Sequence, residues 1–113
     1  MIRVTSALWV SAYLRRCYGE GLPAVVVRRG AEEAGAIMVV VDRLDNTSDL
    51  YGPAPQSAFV EGTDDRLFQL LLKGADSPAV AARIEKETRF DSDVWVVAIE
   101  ARDGRSLLDT IRD

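Results

Sequence analysis

Histidine is absent from the sequence. With it go every Ser-His-Asp or Cys-His relay and every zinc site built on imidazole. Cysteine occurs once, as Cys17, so no disulfide closes within the chain and no neighbouring base stands ready to make a thiolate nucleophile. Long apolar runs are missing too. The best of them, residues 36–41 and 94–99, fall far short of the roughly 20 residues that cross a bilayer. No charged leader with an apolar stretch and a small-residue cleavage site opens the chain. The expected setting is therefore cytoplasmic, with no membrane partner.

Ligand motifs are equally scarce. "GEGLPA" at 19–24 has two glycines of a dinucleotide fingerprint, but it follows a helix and enters a strand, the reverse of the required order. No glycine-rich loop carrying Lys and Ser or Thr is present to cradle phosphates. "DRLDNTSD" at 42–49 alternates oxygen-bearing residues as a calcium loop does, yet Leu50 and Gln56 stand where that loop needs Gly and Glu. "NTS" at Asn46 matches a glycosylation acceptor, which only a secreted protein would use. The sequence thus assigns no cofactor, no metal and no catalytic residue.

What is present fits one globular domain over residues 1–113, with 48% hydrophobic against 28% charged residues. The net charge of −4 is unevenly spread: residues 1–29 hold five Arg and one acid, a local +4, while the remainder holds nine bases and seventeen acids. Such asymmetry marks a patch for an anionic ligand or an acidic partner, or charges satisfied internally. The overall sign opposes specific nucleic-acid binding.

The pattern predicts an α+β domain in the order α β β β β α β. Residues 6–18 form a helix whose stripe is Val10, Tyr13, Leu14 and Cys17, capped by Thr5 or Ser6 and ended by Gly19. Cys17, last in that stripe, reads as a small buried hydrophobe. Residues 24–29 and 36–44 read as neighbouring antiparallel strands joined across "GAEEAG". Asp45 and Asn46 then turn the chain into a short third strand, 47–51. "GPAP" at 52–55 should stop that strand, since proline has no amide to donate, leaving Tyr51 exposed beside a stiffened loop. A polar connection, 56–65, leads to "RLFQLLL", 66–72, which fits either a strand or a helix and is favoured as a strand by its length and its alternation through Phe68, Leu70 and Leu72. The second helix starts with Ser77 as cap and Pro78 at the first position, and buries Val80, Ala81, Ile84 and Thr88. Residues 94–101, apolar on both faces, read as a central strand, and Trp95 within them as core. The tail from Arg105 onward is either a short paired strand or a last helical turn. The antiparallel meander and the central C-terminal strand make one sheet with two main helices packed on it.

"WVSAYLRRC", "RRG", "GAI", "LYGPAP" and "RFDSDVWVVAIEARDGR" occur in this order. On these motifs the chain resembles, nearly end to end, a family of short bacterial proteins known only as a domain of unknown function. The resemblance implies one domain in a bacterial cytoplasm and brings no activity with it.

Two groups of residues remain as candidates. Trp9, Tyr13 and Arg16 share one flank of the first helix, beside Arg15. Cations in a last helical turn gain about 0.3–1 kcal/mol from the dipole, but an aromatic and basic margin is also what protein interfaces concentrate. Arg89, Asp91 and Asp93 gather in "RFDSD", where carboxylates suit acid–base work or a hard cation, or simply fix how helix and strand join. The favoured reading is a small protein-interaction module without catalytic chemistry, binding a protein partner or itself through Trp9, Tyr13, Arg15 and Arg16, with Tyr51 as a further contact. The alternative is an anion- or phosphate-binding domain, hydrolytic in one version, using the N-terminal Arg patch with Asp91 and Asp93.

Overall fold

The computed structural model describes residues 4–55 and 66–111. The polar connection expected at 56–65 lies outside the described residues. Helix α1 spans Ser6–Gly19 and buries Val10, Tyr13 and Cys17 of the predicted stripe, with Leu14 half-buried at its margin. Thr5 is its N-cap, accepting from the Leu8 amide at 3.2 Å. Ser6 does something else: it is buried, and its hydroxyl donates to the Gly35 carbonyl at 2.6 Å. The helix ends at Gly19, as the sequence predicts. Glu20 is the C-cap, and Gly21, at φ 76°, takes the left-handed conformation that lets the Leu22 amide donate back to the Cys17 carbonyl at 2.8 Å.

The strands are β1 (Ala24–Arg28), β2 (Ile37–Asp42), β3 (Ser48–Pro53), β4 (Phe68–Ala75) and β5 (Trp95–Glu100), with helix α2 (Ser77–Phe90) between the last two. They form one sheet in the order β1-β5-β2-β3-β4. The first two strands are therefore not neighbours, a correction to the sequence reading. β5 inserts between them, antiparallel to β1 and parallel to β2. The physical reason lies in two elements. β5 is apolar on both faces and gains most from the centre of the sheet. The β1–β2 connection, moreover, wraps the start of β5 instead of turning tightly: a Cβ at Gly30 or Gly35 would overlap the Asp93 carbonyl, whose oxygen accepts from the Ala31 amide at 2.9 Å. The Trp95 indole completes the wrap by donating to the Ala31 carbonyl at 2.8 Å. Here "RRG" and "GAI" have their cause.

β2, β3 and β4 make the expected meander. The third strand does not stop before "GP", however: Gly52 pairs with Gln69 and Pro53 with Phe68. The Ala54 amide donates to Leu67 on the β4 side at 2.9 Å. By strand alternation Pro53's missing donor thus faces β2, where pairing has already ended at Val39–Tyr51. β4 is a strand, as its alternation suggests, shifted to begin at Phe68. The tail resolves as paired chain: Phe68 bridges Thr110 in parallel, with the Phe68 amide on the Asp109 carbonyl and the Ile111 amide on the Phe68 carbonyl, at 2.9 and 3.0 Å.

At α2, Asp76 and not Ser77 is the cap, accepting from the Ala79 amide at 2.9 Å. Its buried face is also thinner than expected. Val80 alone is fully buried, Ile84 and Thr88 are half-buried, and Ala81 is exposed. α2 rests mainly over β3 and β4, so part of the face predicted to be covered meets solvent. On the opposite side of the sheet α1 lies over a core of Ile37, Val39, Val41, Phe68, Trp95, Val97 and Ile99, joined by Tyr13 and Cys17. The α2 side holds a smaller cluster, Met38, Leu50, Val94 and Val96.

Candidate functional site

The tail crosses back over α1 and is fastened there from several directions. The Tyr13 hydroxyl donates to the Ser106 carbonyl at 2.7 Å, and the Arg16 guanidinium to the Leu107 carbonyl at 3.2 Å. Arg105 reaches Glu20 at the end of the helix, donating to its backbone carbonyl at 3.1 Å. Leu107, the last of these three anchored residues, adopts φ 60°. A bulky residue rarely occupies that left-handed region, and such strain persists only where surrounding contacts impose it.

Between helix and tail a cleft of about 170 Å³ remains, lined by Trp9, Ala12, Tyr13, Arg16, Arg66, Leu107, Leu108 and Asp109. Its floor is aromatic: Trp9 stacks on Tyr13 with centroids 5.0 Å apart and planes 16° from parallel, and leans on Phe68 at 5.3 Å. Trp9 is half-buried, while Arg16 is exposed at the rim. Arg66 reaches across to the Val4 carbonyl at 3.1 Å and the Ser6 hydroxyl at 3.2 Å, fixing the start of α1. Burial pushes the Tyr13 phenol far above its ordinary pKa, with the adjacent Cys17 thiol adding to the rise. Burial likewise pushes Cys17 up, so it is a protonated, wholly enclosed thiol and no nucleophile.

Trp9, Tyr13 and Arg16 thus come together on one cleft. Arg15, one residue away, is exposed and does not line it. Tyr51, expected to be exposed beside the loop, lies within β3, half-buried and packed against the α1-side core. Sequence reasoning missed Arg66 and the tail residues. No local signal could have found them, since Tyr13 and Ser106 are 93 positions apart.

The remaining candidates are drawn into structural contacts. Arg28 donates to the Ser92 and Val94 carbonyls at 3.0 and 2.6 Å, and Arg29 sits over the Trp95 ring at 4.9 Å. Arg89 pairs with Glu85 at 2.7 Å, away from the carboxylates beside it. Asp91 accepts from the Asp93 amide at 2.9 Å and turns the chain from α2 into β5. The 42–49 stretch is a turn. Asn46 takes φ 71°, and Asp45 is held below the usual carboxylate range by its hydrogen bonds from Thr47. Among the described residues no group of His, Cys, Asp or Glu is arranged to hold a metal. The most buried carboxylate among the described residues, Asp49 at 1% exposure, is paired with Arg43 at 2.6 Å and accepts from the Gly74 amide at 2.8 Å, locking β3 to β4. That hydrogen bond holds the Arg43 guanidinium above its ordinary pKa. No described helix is long and apolar enough to cross a membrane.

The family model described as "Protein of unknown function (DUF1491)" matches residues 4–109. The chain is similar to a solution structure of protein Atu0922 from A. tumefaciens, 41% identical with a TM-score of 0.85 over 99% of this chain and 98% of that one. A crystal structure of a DUF1491 family protein from Caulobacter crescentus CB15 is 32% identical, with a TM-score of 0.79 over 98% of this chain and all of that one. An NMR structure of a DUF1491 family protein from the same organism gives a TM-score of 0.77 at 32% identity, over 99% of this chain and 100% of that one. No curated protein matches.

Proposed function

The chain belongs to the DUF1491 family, and from that premise we propose that it is a small protein-interaction module without chemistry of its own, receiving a partner's segment in the cleft between α1 and the tail. The observation that carries this reading is the lining of that cleft. Trp9, Tyr13 and Arg16 meet there with Arg66, and Trp, Tyr and Arg are the side chains that dominate interface energetics when set in a preformed pocket. Arg16, exposed at the rim of the cleft, favours a segment that offers an acidic group beside an apolar one. Leu107, held at a strained angle by Tyr13 and Arg16, keeps the cleft in shape before the partner arrives. That lowers the ordering cost of binding. Arg15, exposed next to Arg16 but outside the cleft, adds charge to the approach.

The test compares wild type with Trp9→Ala and Arg16→Glu, each checked for retained fold by circular dichroism. A protein captured from the native cytoplasm by wild type and lost by both variants supports the module, and its contact segment should present an acidic residue. Binding of inorganic phosphate or nucleotides by wild type, weakened by salt and abolished by Arg16→Glu, would replace the module with an anion-binding domain.

A further inference from the structure

The apolar side of α2 is wider than the part of it that the sheet covers. Val80 is buried, Ile84 is half-buried, and Ala81 is exposed. The helix rests over β3 and β4, so the sheet beyond it is bare: along one register row Leu50 is fully buried, Val40 and Ala98 are half-buried, and Val25 at the β1 edge is 57% exposed. Val27 on the same strand is 62% exposed. A groove of about 770 Å³ opens where helix and bare sheet meet, lined by Val40 and Ala98 from the sheet and by Val80, Ala81 and Ile84 from the helix. The width of the bare strip selects what fits it. Neighbouring strands lie about 4.8 Å apart, so β2 to β1 across β5 measures about 10 Å, the diameter of one helix with its side chains. An apolar strip of that width beside an existing helix is the seat that a second helix takes when it packs about 8–10 Å from the first. A strand has a poorer hold. At the β1 edge the Tyr18 hydroxyl already donates to the Ala24 carbonyl at 2.6 Å, and a register shift between Val26 and Arg28 breaks the ladder.

Charge selects the occupant's sign and direction. Among the described residues two carboxylates line the groove, Asp42 and Asp76, and no basic side chain does. Glu100, the register partner of Asp42, is exposed. Asp42 accepts from the Leu44 amide and Asp76 from the Ala79 amide, at 2.8 and 2.9 Å, each through Oδ1. None of the three carboxylates forms an ion pair among the described residues. All three gather at one end of the strip, since Asp42 and Glu100 end β2 and β5 and Asp76 caps the start of α2. Arg28 stands at the opposite end, held on the Ser92 and Val94 carbonyls, and disfavours a second cation there. A cation is therefore favoured at the Asp42 end alone.

We propose that this groove receives an amphipathic helix of a partner protein, its apolar stripe on Val40, Ala98 and Val25 and its Lys or Arg residues at the end that meets Asp42, Asp76 and Glu100. The site lies on the opposite side of the sheet from the α1 cleft and stands whether or not that cleft binds a partner.

The test is a displayed library of helical peptides of about 18 residues, roughly five turns, panned against the full chain and counter-selected on Ala81→Lys. That variant puts bulk and positive charge into the groove from an exposed position and should leave the unfolding midpoint nearly unchanged. Retained peptides should carry apolar residues at i, i+3, i+4 and i+7 with Lys or Arg gathered at one end, gain helicity on binding, and bind Ala81→Lys about tenfold or more weakly than wild type. Asp42→Asn with Asp76→Asn keeps both side-chain acceptors, and so the turn and the helix cap. It should weaken the peptides about threefold or more at low salt and remove most of the salt dependence. Trp9→Ala should bind them as wild type does. A library in which no peptide distinguishes wild type from Ala81→Lys overturns the assignment, as do retained peptides that are acidic or that stay extended when bound. So does binding that falls with Trp9→Ala and not with the double Asn variant. A wild type that dimerises in sedimentation velocity and loses the dimer on Ala81→Lys gives the groove to a second copy, and that too overturns a partner's helix as its occupant.

Discussion

The two faces of the sheet are built from strands of similar apolarity and end up very differently closed. Beneath α1 the row Val26, Val97, Val39, Tyr51 is enclosed at its centre by Val10, Tyr13 and Cys17, with Trp9 and Phe68 sealing the side toward β4. Beneath α2 the neighbouring row is enclosed only at Leu50 and opens steadily toward Val25. The helices have equal length, 14 residues each. What differs is what fastens them. α1 is held by Ser6 on Gly35, by the Ser6 and Ala7 amides on the Glu33 and Glu32 carbonyls, and by the tail through Tyr13 and Arg16. α2 has Val80 and a flank of Arg83 and Glu87, an i,i+4 pair at 3.0 Å of the kind that contributes only a few tenths of a kcal/mol. Closure here follows from backbone anchoring at the helix ends more than from the width of the apolar stripe.

The sharpest break in that comparison is a methyl group in the wrap that anchors α1. Gly30→Ala or Gly35→Ala drives a Cβ into the Asp93 carbonyl, and for Gly30 also into the Trp95 ring. Backbone on both sides leaves little room to give. A loss of roughly 4 kcal/mol or complete failure to fold is expected, read by urea denaturation. A loss below about 1 kcal/mol would mean that the wrap is loose and the α1 side no better anchored than the α2 side.

The same truncation on each helix compares the faces directly. Val10 and Val80 are both buried. Val10→Ala should cost roughly 2–3 kcal/mol, since α1 above it is anchored at its ends, and Val80→Ala about 1 kcal/mol, since the loosely held α2 can settle into the gap. Equal costs would dissolve the distinction.

How much of this was legible in the sequence divides along the same line. The α1 stripe, the Pro78 start of α2 and the two-sided apolarity of β5 are local patterns, and each predicts the element that forms. The place of β5 between β1 and β2 is not local. It depends on the wrap of 29–36 around Asp93, whose glycines are plain in the sequence while their target is 60 residues away. Periodicity places Ala81 on the buried face, yet it is exposed, because periodicity states which residues share a side of a helix but not how much of that side the sheet can reach. Trp9, Tyr13 and Arg16 were identifiable as one flank. The cleft they border required the tail, whose few residues carried no period, and Arg66, which looked like the first residue of a strand.

A smaller effect separates the faces by pH. Tyr13→Phe removes the hydrogen bond to Ser106 and should cost about 1 kcal/mol at neutral pH. Its phenol is raised in the folded state, so the stability it contributes is fully present below the unfolded value near 10 and is lost as pH climbs past it. Cys17, raised in the same direction from 9.0, begins to act slightly earlier. Wild type should therefore lose stability between about pH 8 and about pH 10.5, and Tyr13→Phe should lose less over the same span. Parallel slopes would show that the α1 core admits water.

The smallest effect belongs to the "YGPAP" stretch, where the two rows meet the end of β3. Pro53 is exposed, and its missing amide faces the side on which β2 has ended. Alanine there restores a donor that solvent satisfies and frees one backbone angle in the unfolded chain, a change of about 0.5 kcal/mol or less. Gly52 should be less tolerant, and not because of its backbone angle, since it is absent from the positive-φ residues of the described chain. A Cβ there would meet the Leu71 side chain at 2.7 Å, on the α2 side where Leu71 packs at the margin of the smaller cluster. Because that contact is the far end of a flexible side chain beneath a loosely held helix, Leu71 can shift. Gly52→Ala should then cost only about 1 kcal/mol, well below Gly35→Ala, although both introduce the same methyl group. If the two glycines prove equally intolerant in parallel urea titrations, the α2 face is packed as rigidly as the α1 face, and the exposed valines of β1 lie beside a firm surface and not an open one.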